Sequence, residues 1–339
     1  MAKVDVEPDL RASEQEIGGS PDVPEGIVGR SPGELFWRRF RKDRFAFVGI
    51  GFLIVITILA VTAPLFAKLV GHPVGEQYIF EMTNEFGIPL GPTLTADVAP
   101  EVGGKVFLFG ADGGAHDLFV RILYGARTSL IVALTATVIE MVLGVTLGIM
   151  AGFYRGKIDT LVSRLTDVFY ALPTLLLILG LVAACGVSKE GCLGGFLKPG
   201  MGLVAGIIGF FGWPYIARIV RGQVLSLREK EFVEAARALG ASNRRIMFRE
   251  ILPNVLAPVI VYSTLIIPTN ILIEAGLSFL GIGVPPDIPS WGAMLDNAIQ
   301  YYRTAWWTML FPGIFLFATT LAFNLVGDGL RDAFDPRTA

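Results

Sequence analysis

Charge is what this 339-residue sequence has least of: Asp, Glu, Lys and Arg together make up 17% of it, against roughly a quarter in an ordinary globular domain. The 28 basic and 30 acidic residues nearly cancel to a net charge of -2, so nothing favours nucleic acid as a partner. Only two cysteines are present, Cys185 and Cys192, which excludes a disulfide-rich scaffold and a multi-cysteine metal site. The two histidines, His72 and His116, sit in no His-Glu-x-x-His arrangement, and that argues against a membrane metallohydrolase. There is no repeat with a period of roughly 20 to 50 residues and no heptad array. What fills the chain instead is apolar: 53% hydrophobic residues, 40 glycines and a mean hydropathy of +0.60. Such a chain belongs in a membrane, where glycine lets helices approach closely.

A bilayer crossing needs roughly 20 mostly apolar residues. Six stretches qualify: Phe45 to Ala67, Thr128 to Tyr154, Val168 to Ser188, Pro199 to Ala217, Ile251 to Ile273 with a continuation through Glu274 to Gly283, and Thr304 to Gly327. Glu140 interrupts the second. Its eleven Leu, Ile and Val residues, at roughly -0.3 to -0.6 kcal/mol each, outweigh about +3 kcal/mol for one central carboxylate, so it still inserts. The predicted fold is therefore all-α, with six transmembrane helices between residues 45 and 330. Residues 1–44 form an N-terminal tail and 331–339 a C-terminal one. Residues 1–34 are polar and acidic, without the apolar core of a signal peptide, and Gly18-Gly19-Ser20-Pro21 marks them as flexible.

Orientation follows from the basic residues. With both termini in the cytoplasm, 21 fall inside and seven outside: Lys68, Lys105, Arg121, Arg127, Lys189, Lys198 and Arg303. The first external loop, 68–121, contains a strand-like Lys105 to Phe109 and an amphipathic Leu118 to Tyr124 leading into the second span. Both histidines fall in this loop, which is expected to be mobile. The second external segment offers Trp291 to Tyr302 as an interfacial helix, with Tyr301, Tyr302, Trp306 and Trp307 as an aromatic belt.

The most informative polar stretch is the cytoplasmic loop 222–254. Ser226-Leu227-Arg228-Glu229 has the form of a capping box, predicting a helix start there. Phe232, Ala235, Ala236 and Leu239 then follow the i, i+3, i+4, i+7 spacing of one apolar face. Gly240 ends that helix, Ser242 caps a second short one through Arg249, and Pro253 marks entry to the fifth span. A shallow apolar face on a cytoplasmic hairpin suits docking into a groove of a soluble partner.

Glu234-Ala235-Ala236, Gly240 and Leu252-Pro253 resemble the cytoplasmic signature of the integral membrane subunits of ABC importers, although Glu250 stands where an apolar residue is common. More of the chain, about 36 to 337, is similar to the C-type permease subunit of dipeptide, oligopeptide and nickel importers. The motifs are Trp37-Arg38-Arg39-Phe40-Arg41-Lys42-Asp43-Arg44, Tyr124-Gly125-Ala126-Arg127-Thr128-Ser129-Leu130, Gly212-Trp213-Pro214-Tyr215, Leu277-Ser278-Phe279-Leu280-Gly281, Pro289-Ser290-Trp291-Gly292 and Asn324 to Asp332. The family's Gly-Thr-Asp and Gly-Arg-Asp appear as Gly110-Ala111-Asp112 and Ala115-His116-Asp117. The resemblance implies a type I ABC importer permease fold and half of a translocation pore. It further implies a homologous second permease, two cytoplasmic ATPase subunits or domains carrying ATP and Mg, an external solute-binding protein, and a bacterial or archaeal inner membrane. Glu234, Ala235, Ala236, Leu239 and Gly240 would then couple ATP turnover to the pore. Peptide and nickel systems share these motifs, so both substrates stay open.

No enzymatic site is legible in the chain itself, and no cofactor or metal site is expected. Gly152 to Ile158 approaches a phosphate-binding loop but has three residues between its glycines and no Ser or Thr after Lys157, so ATP hydrolysis is assigned to other polypeptides. An ion-coupled secondary transporter is the alternative from another class. Such proteins use intramembrane ionisable residues, here only Glu140 and Glu274, but the class does not explain the hairpin. Glu140 is read as either a pathway residue or one paired within the helices. Glu274 is expected to face the pathway or a subunit interface, with a structural hydrogen bond to the neighbouring permease as the other reading. Cys185 and Cys192 either form an external bridge or leave Cys185 buried as a small apolar residue. Gly144, Gly148 and Gly152 repeat every four residues, the spacing of a close helix contact.

Overall fold

The computed structural model describes residues 32–92, 106–187, 191–192 and 198–334. Nearly all of the N-terminal tail, Lys105, Lys189 and the end of the C-terminal tail lie outside them. The described chain is helical: α1 (Pro32–Phe40), α2 (Arg44–Val70), α3 (Ile79–Met82), α4 (Leu118–Tyr154), α5 (Gly156–Ala171), α6 (Thr174–Val187), α7 (Met201–Leu227), α8 (Glu231–Ala238), α9 (Asn243–Arg245), α10 (Leu252–Phe279), α11 (Trp291–Ala298) and α12 (Trp307–Phe334). Among the described residues, α2, α4, α7, α9 through α10 and α12 are long and apolar enough to cross a membrane unbroken.

The third crossing differs from its sequence expectation. It is a pair, α5 and α6, bent by 81°. Pro173 explains the break, because a proline forces the residue before it out of helical geometry, and Leu172 is extended at φ -95°, ψ 139°. The second crossing begins ten residues earlier than the apolar count, at Leu118. Asp117 caps it by accepting from Val120 N, and Leu118, Ile122, Leu123 and Ala126 are buried, so the amphipathic stretch is the first two turns of α4 itself. Asp43 starts α2 in the same way through Phe45 N and Ala46 N, and Gly71, at φ +76°, ends it.

Three other expectations are corrected. Ser226 does not start a helix, because α7 runs on to Leu227 with Val220 and Val224 packed into a core cluster, and Glu229 is spent on Arg155. No strand forms among the described residues of Lys105 to Phe109; Phe107 stacks on His72 at 4.2 Å and Phe109 on Phe311 at 4.1 Å. The expected helix is shorter, Trp291–Ala298, and packs one face into the chain, since Trp291 is fully buried and donates from Nε1 to Ile122 O at 3.2 Å. Of the aromatic belt, Tyr302 and Trp306 are exposed, whereas Trp307 is half-buried and donates to Ala111 O.

The seam between α4 and α7 is the centre of the molecule. Gly144, Gly148 and Gly152 lie along it, where added Cβ atoms would sit 2.6 Å from Ile216 Cβ, 2.7 Å from Ala217 O and 2.7 Å from Val224 Cβ. Missing side chains let the two backbones touch, so the four-residue glycine spacing is packing and not a pathway wall.

Candidate functional site

The hairpin between α7 and α10 is built on the adjoining ends of α4, α7 and α10. Val233 is its internal anchor, fully buried in one cluster with Phe153, Val220, Ile246 and Ile251. Arg228 donates to Phe153 O, and Glu229 pairs with Arg155 at 2.7 Å, tying the entry of α8 to the end of α4. α8 ends where Gly240, at φ +77°, turns the chain; Gly240 N donates to Arg237 O and Ala241 N to Ala236 O. A left-handed residue is needed there, which glycine supplies without steric penalty. Ser242 then caps α9 through Arg245 N. The return arm has no break at Pro253: a π-helical segment, Ile246–Ile251, carries α9 straight into α10, with Leu252 and Pro253 in the first turn, where proline's missing N–H is harmless.

This construction divides the predicted apolar face. Ala236 is half-buried beside Val233, whereas Ala235 and Glu234 are exposed, Phe232 is 38% exposed and Leu239 is 87% exposed. Glu234 donates its main-chain N–H to Lys230 O, but its carboxylate has no hydrogen bond or ion pair to any described residue. The hairpin is therefore rigid underneath and uncovered on top. Val233 is the residue that the sequence reading missed; its signal was a single aliphatic side chain out of phase with the other four.

Within the membrane the two carboxylates have different surroundings. Glu274 is fully buried, accepting from Ser129 Oγ at 2.7 Å and Ser278 Oγ at 2.8 Å. It faces neither a pathway nor an exposed interface, which corrects that expectation: two serines supply the polar partners that were sought outside the chain. Glu140 is 3% exposed and lines a cavity, its Oε1 accepting from Asn270 Nδ2 at 2.9 Å. Asn270 was missed, although an amide four residues before Glu274 in an apolar run is a visible signal.

At the end of the helices opposite the hairpin, Cys185 and Cys192 are joined in a disulfide with Cα atoms 5.0 Å apart, and Cys185 is also buried. The described residues of the first loop, 68–92 and 106–121, are packed around its histidines, in place of the mobile loop expected there. His72, fully buried, lies 2.5 Å from Asp117 Oδ2, while His116 Nδ1 lies 3.0 Å from Asp112 Oδ1 and 2.8 Å from Arg121 Nη1. Burial opposes ionisation of Asp112, but the hydrogen bond from His116 and the charge of Arg121 outweigh it and hold the carboxyl below its usual range. Asp112 and Asp117 are thus structural, one closing a turn through Gly114 N and His116 N, the other capping α4. Ala115, standing where the family motif has glycine, adopts φ +58°, a conformation that glycine reaches without strain.

These features have a counterpart in known proteins. The profile described as "binding-protein-dependent transport system inner membrane component" matches residues 144–339, and one described as the N-terminal TM domain of oligopeptide transport permease C matches 31–82. This chain belongs to that transport-system family. The dipeptide transport system permease protein DppC of Alkalihalophilus pseudofirmus is 37% identical over 318 residues, covering 94% of each chain. The oligopeptide transport system permease protein OppC of Bacillus subtilis is 36% identical over 302 residues, covering 88% of each. Among solved structures, inward-facing conformations of the MetNI methionine ABC transporter match with a TM-score of 0.50 at 20% identity, covering 64% of this chain and 96% of that one. That match carries the fold alone, a multi-pass, all-helical one. The family's other members are membrane permease subunits, and the fold described above is theirs.

Proposed function

We propose that this permease forms half of the translocation pathway of an ATP-driven peptide importer and that the α8 hairpin couples it to separate ATPase subunits. The hairpin carries the reading. Leu239, Phe232 and Ala235 offer a shallow apolar surface, Glu234 offers an unpaired charge, and Val233 with the Glu229–Arg155 pair transmits any displacement of α8 to α4, α7 and α10. An arginine in the ATPase groove is the natural bidentate partner for Glu234. The expected assembly contains a homologous second permease, two cytoplasmic ATPase subunits that bind ATP and Mg, and an external solute-binding protein. This chain contributes pathway walls and no bond-breaking step. Peptide is favoured over nickel because the relatives just described are named for dipeptides and oligopeptides. Cytoplasmic termini place the Cys185–Cys192 bridge on the oxidising side.

The test is transport in proteoliposomes containing all partner subunits. Glu234→Lys and Gly240→Val are expected to insert normally yet lose peptide uptake, either by releasing the ATPase or by leaving ATP turnover unproductive. Uptake at the wild-type rate in both variants would refute the coupling role.

A further inference from the structure

Inside the membrane-spanning part, α4, α6, α7 and α10 enclose a cavity of about 300 Å³. Its floor is Glu140, held in place by Asn270, whose Nδ2 donates both to Glu140 Oε1 at 2.9 Å and to Thr137 Oγ1 at 3.0 Å. Gly212 makes room for the carboxylate, since any Cβ at that position would collide with the Glu140 side chain. Glu140 Oε2 takes no hydrogen bond from a described residue, and no Lys, Arg or His lines the cavity. This is the opposite of Glu274, where two serine hydroxyls occupy both oxygens. The cavity therefore presents a buried carboxyl group that its own chain leaves half-satisfied.

The mouth is polar as well. Tyr215 and Thr269 are exposed and Thr174 is half-exposed, so three hydroxyl-bearing residues line an opening in an otherwise apolar surface. Hydroxyls facing lipid gain nothing, whereas hydroxyls around a wet pathway hydrogen-bond to water or solute. The volume is at the small end of ligand sites, enough for one end of a peptide and not for its length. A lone carboxylate with an amide is a poor donor set for a transition metal, which takes imidazole or thiolate, and falls short of the roughly six oxygens a hard metal ion takes, so an organic cation is the better complement.

We propose that the Glu140 cavity is a transient subsite for the α-ammonium group of the passing peptide, with Asn270 as the positioning residue. The assignment rests on the peptide reading above. Two radiolabelled probes test it on the complete complex of both permeases and both ATPases in nanodiscs, without the solute-binding protein: the dipeptide alanyl-alanine, and propionyl-alanine, which lacks only the ammonium group. The wild-type complex is expected to bind the dipeptide at least tenfold better than its deaminated analogue. Glu140→Gln should abolish that preference, and Thr269→Leu, which fills the cavity and leaves Glu140 in place, should weaken dipeptide binding about as much. Co-purification of the ATPases reports assembly of each variant. Equal dipeptide binding in wild type and Glu140→Gln overturns the subsite, as does no preference in the wild type. If Glu140→Gln does not assemble, unchanged binding in Thr269→Leu overturns it. Failure of wild-type proteoliposomes to import any peptide would instead overturn the peptide reading, so the two failures are distinguishable.

Discussion

The seam between α4 and α7 yields the sharpest stability prediction. An added methyl at Gly148 would meet Ala217 O at 2.7 Å and Val220 Cβ at 2.8 Å, where ordinary contact begins near 3.4 Å. The nearest obstacle is a main-chain carbonyl, which cannot rotate away, so the helices must separate locally by up to about 0.7 Å. A gap of that size forfeits roughly a quarter to a half of the dispersion energy of each contact along the seam. Overpacking of this kind costs about 1 to 3 kcal/mol, and the better helix propensity of alanine returns up to about 1 kcal/mol. Gly148→Ala should therefore destabilise by roughly 1 to 2 kcal/mol, lowering the apparent melting temperature by about 1 to 3 °C for a chain of this size. Gly222, in α7 but with nothing within 4 Å of its Cβ position, is the internal control. Gly222→Ala gains the propensity and meets no neighbour, so its melting temperature should be unchanged or higher. The assay is loss of the monodisperse chromatographic peak after heating the detergent-solubilised complex. A Gly148→Ala protein as stable as the wild type, beside an unchanged Gly222→Ala, would refute the close-contact reasoning.

Two further outcomes follow from buried carboxylates. Glu274→Gln keeps a hydrogen-bonding group opposite Ser129 and Ser278 and should fold normally, whereas Glu274→Leu strands both hydroxyls and should cost about 2 to 4 kcal/mol in the same heating assay; equal stability of the two variants would sink the structural role. Asp112 is held below the usual carboxylate range, so its contribution is fully present above the unfolded value of about 3.9 and is lost as pH falls through the lower folded value. The difference in hydrogen-exchange protection of residues 106–124 between wild type and Asp112→Asn should stay constant from about pH 8 to 5, begin to shrink near pH 4 and vanish only below the lower folded value, and a difference already fading at pH 6 would contradict the assignment.

Hydropathy alone determined that the chain crosses a membrane and roughly where, because a bilayer demands apolar runs of a length that local composition reveals. The α8 turn was also legible in advance, since Gly240 and Ser242 act on their immediate neighbours. Most of the rest depended on residues far apart in sequence. The burial of Arg121 inside the start of α4 needed Asp112 beside it, and a count of apolar residues reads that arginine only as an interruption. The 81° bend came from a local proline, yet whether it kinks or breaks the crossing depends on what α5 and α6 each pack against. Glu140 and Glu274 look alike as isolated acids in apolar helices. Only the tertiary structure separates them, by bringing Ser129 across 145 positions to one and Asn270 across 130 positions to the other. A buried carboxyl is defined by the partners that reach it: Ser278 lies on the same helix as Glu274, but Ser129 and Asn270 each come from the helix packed opposite.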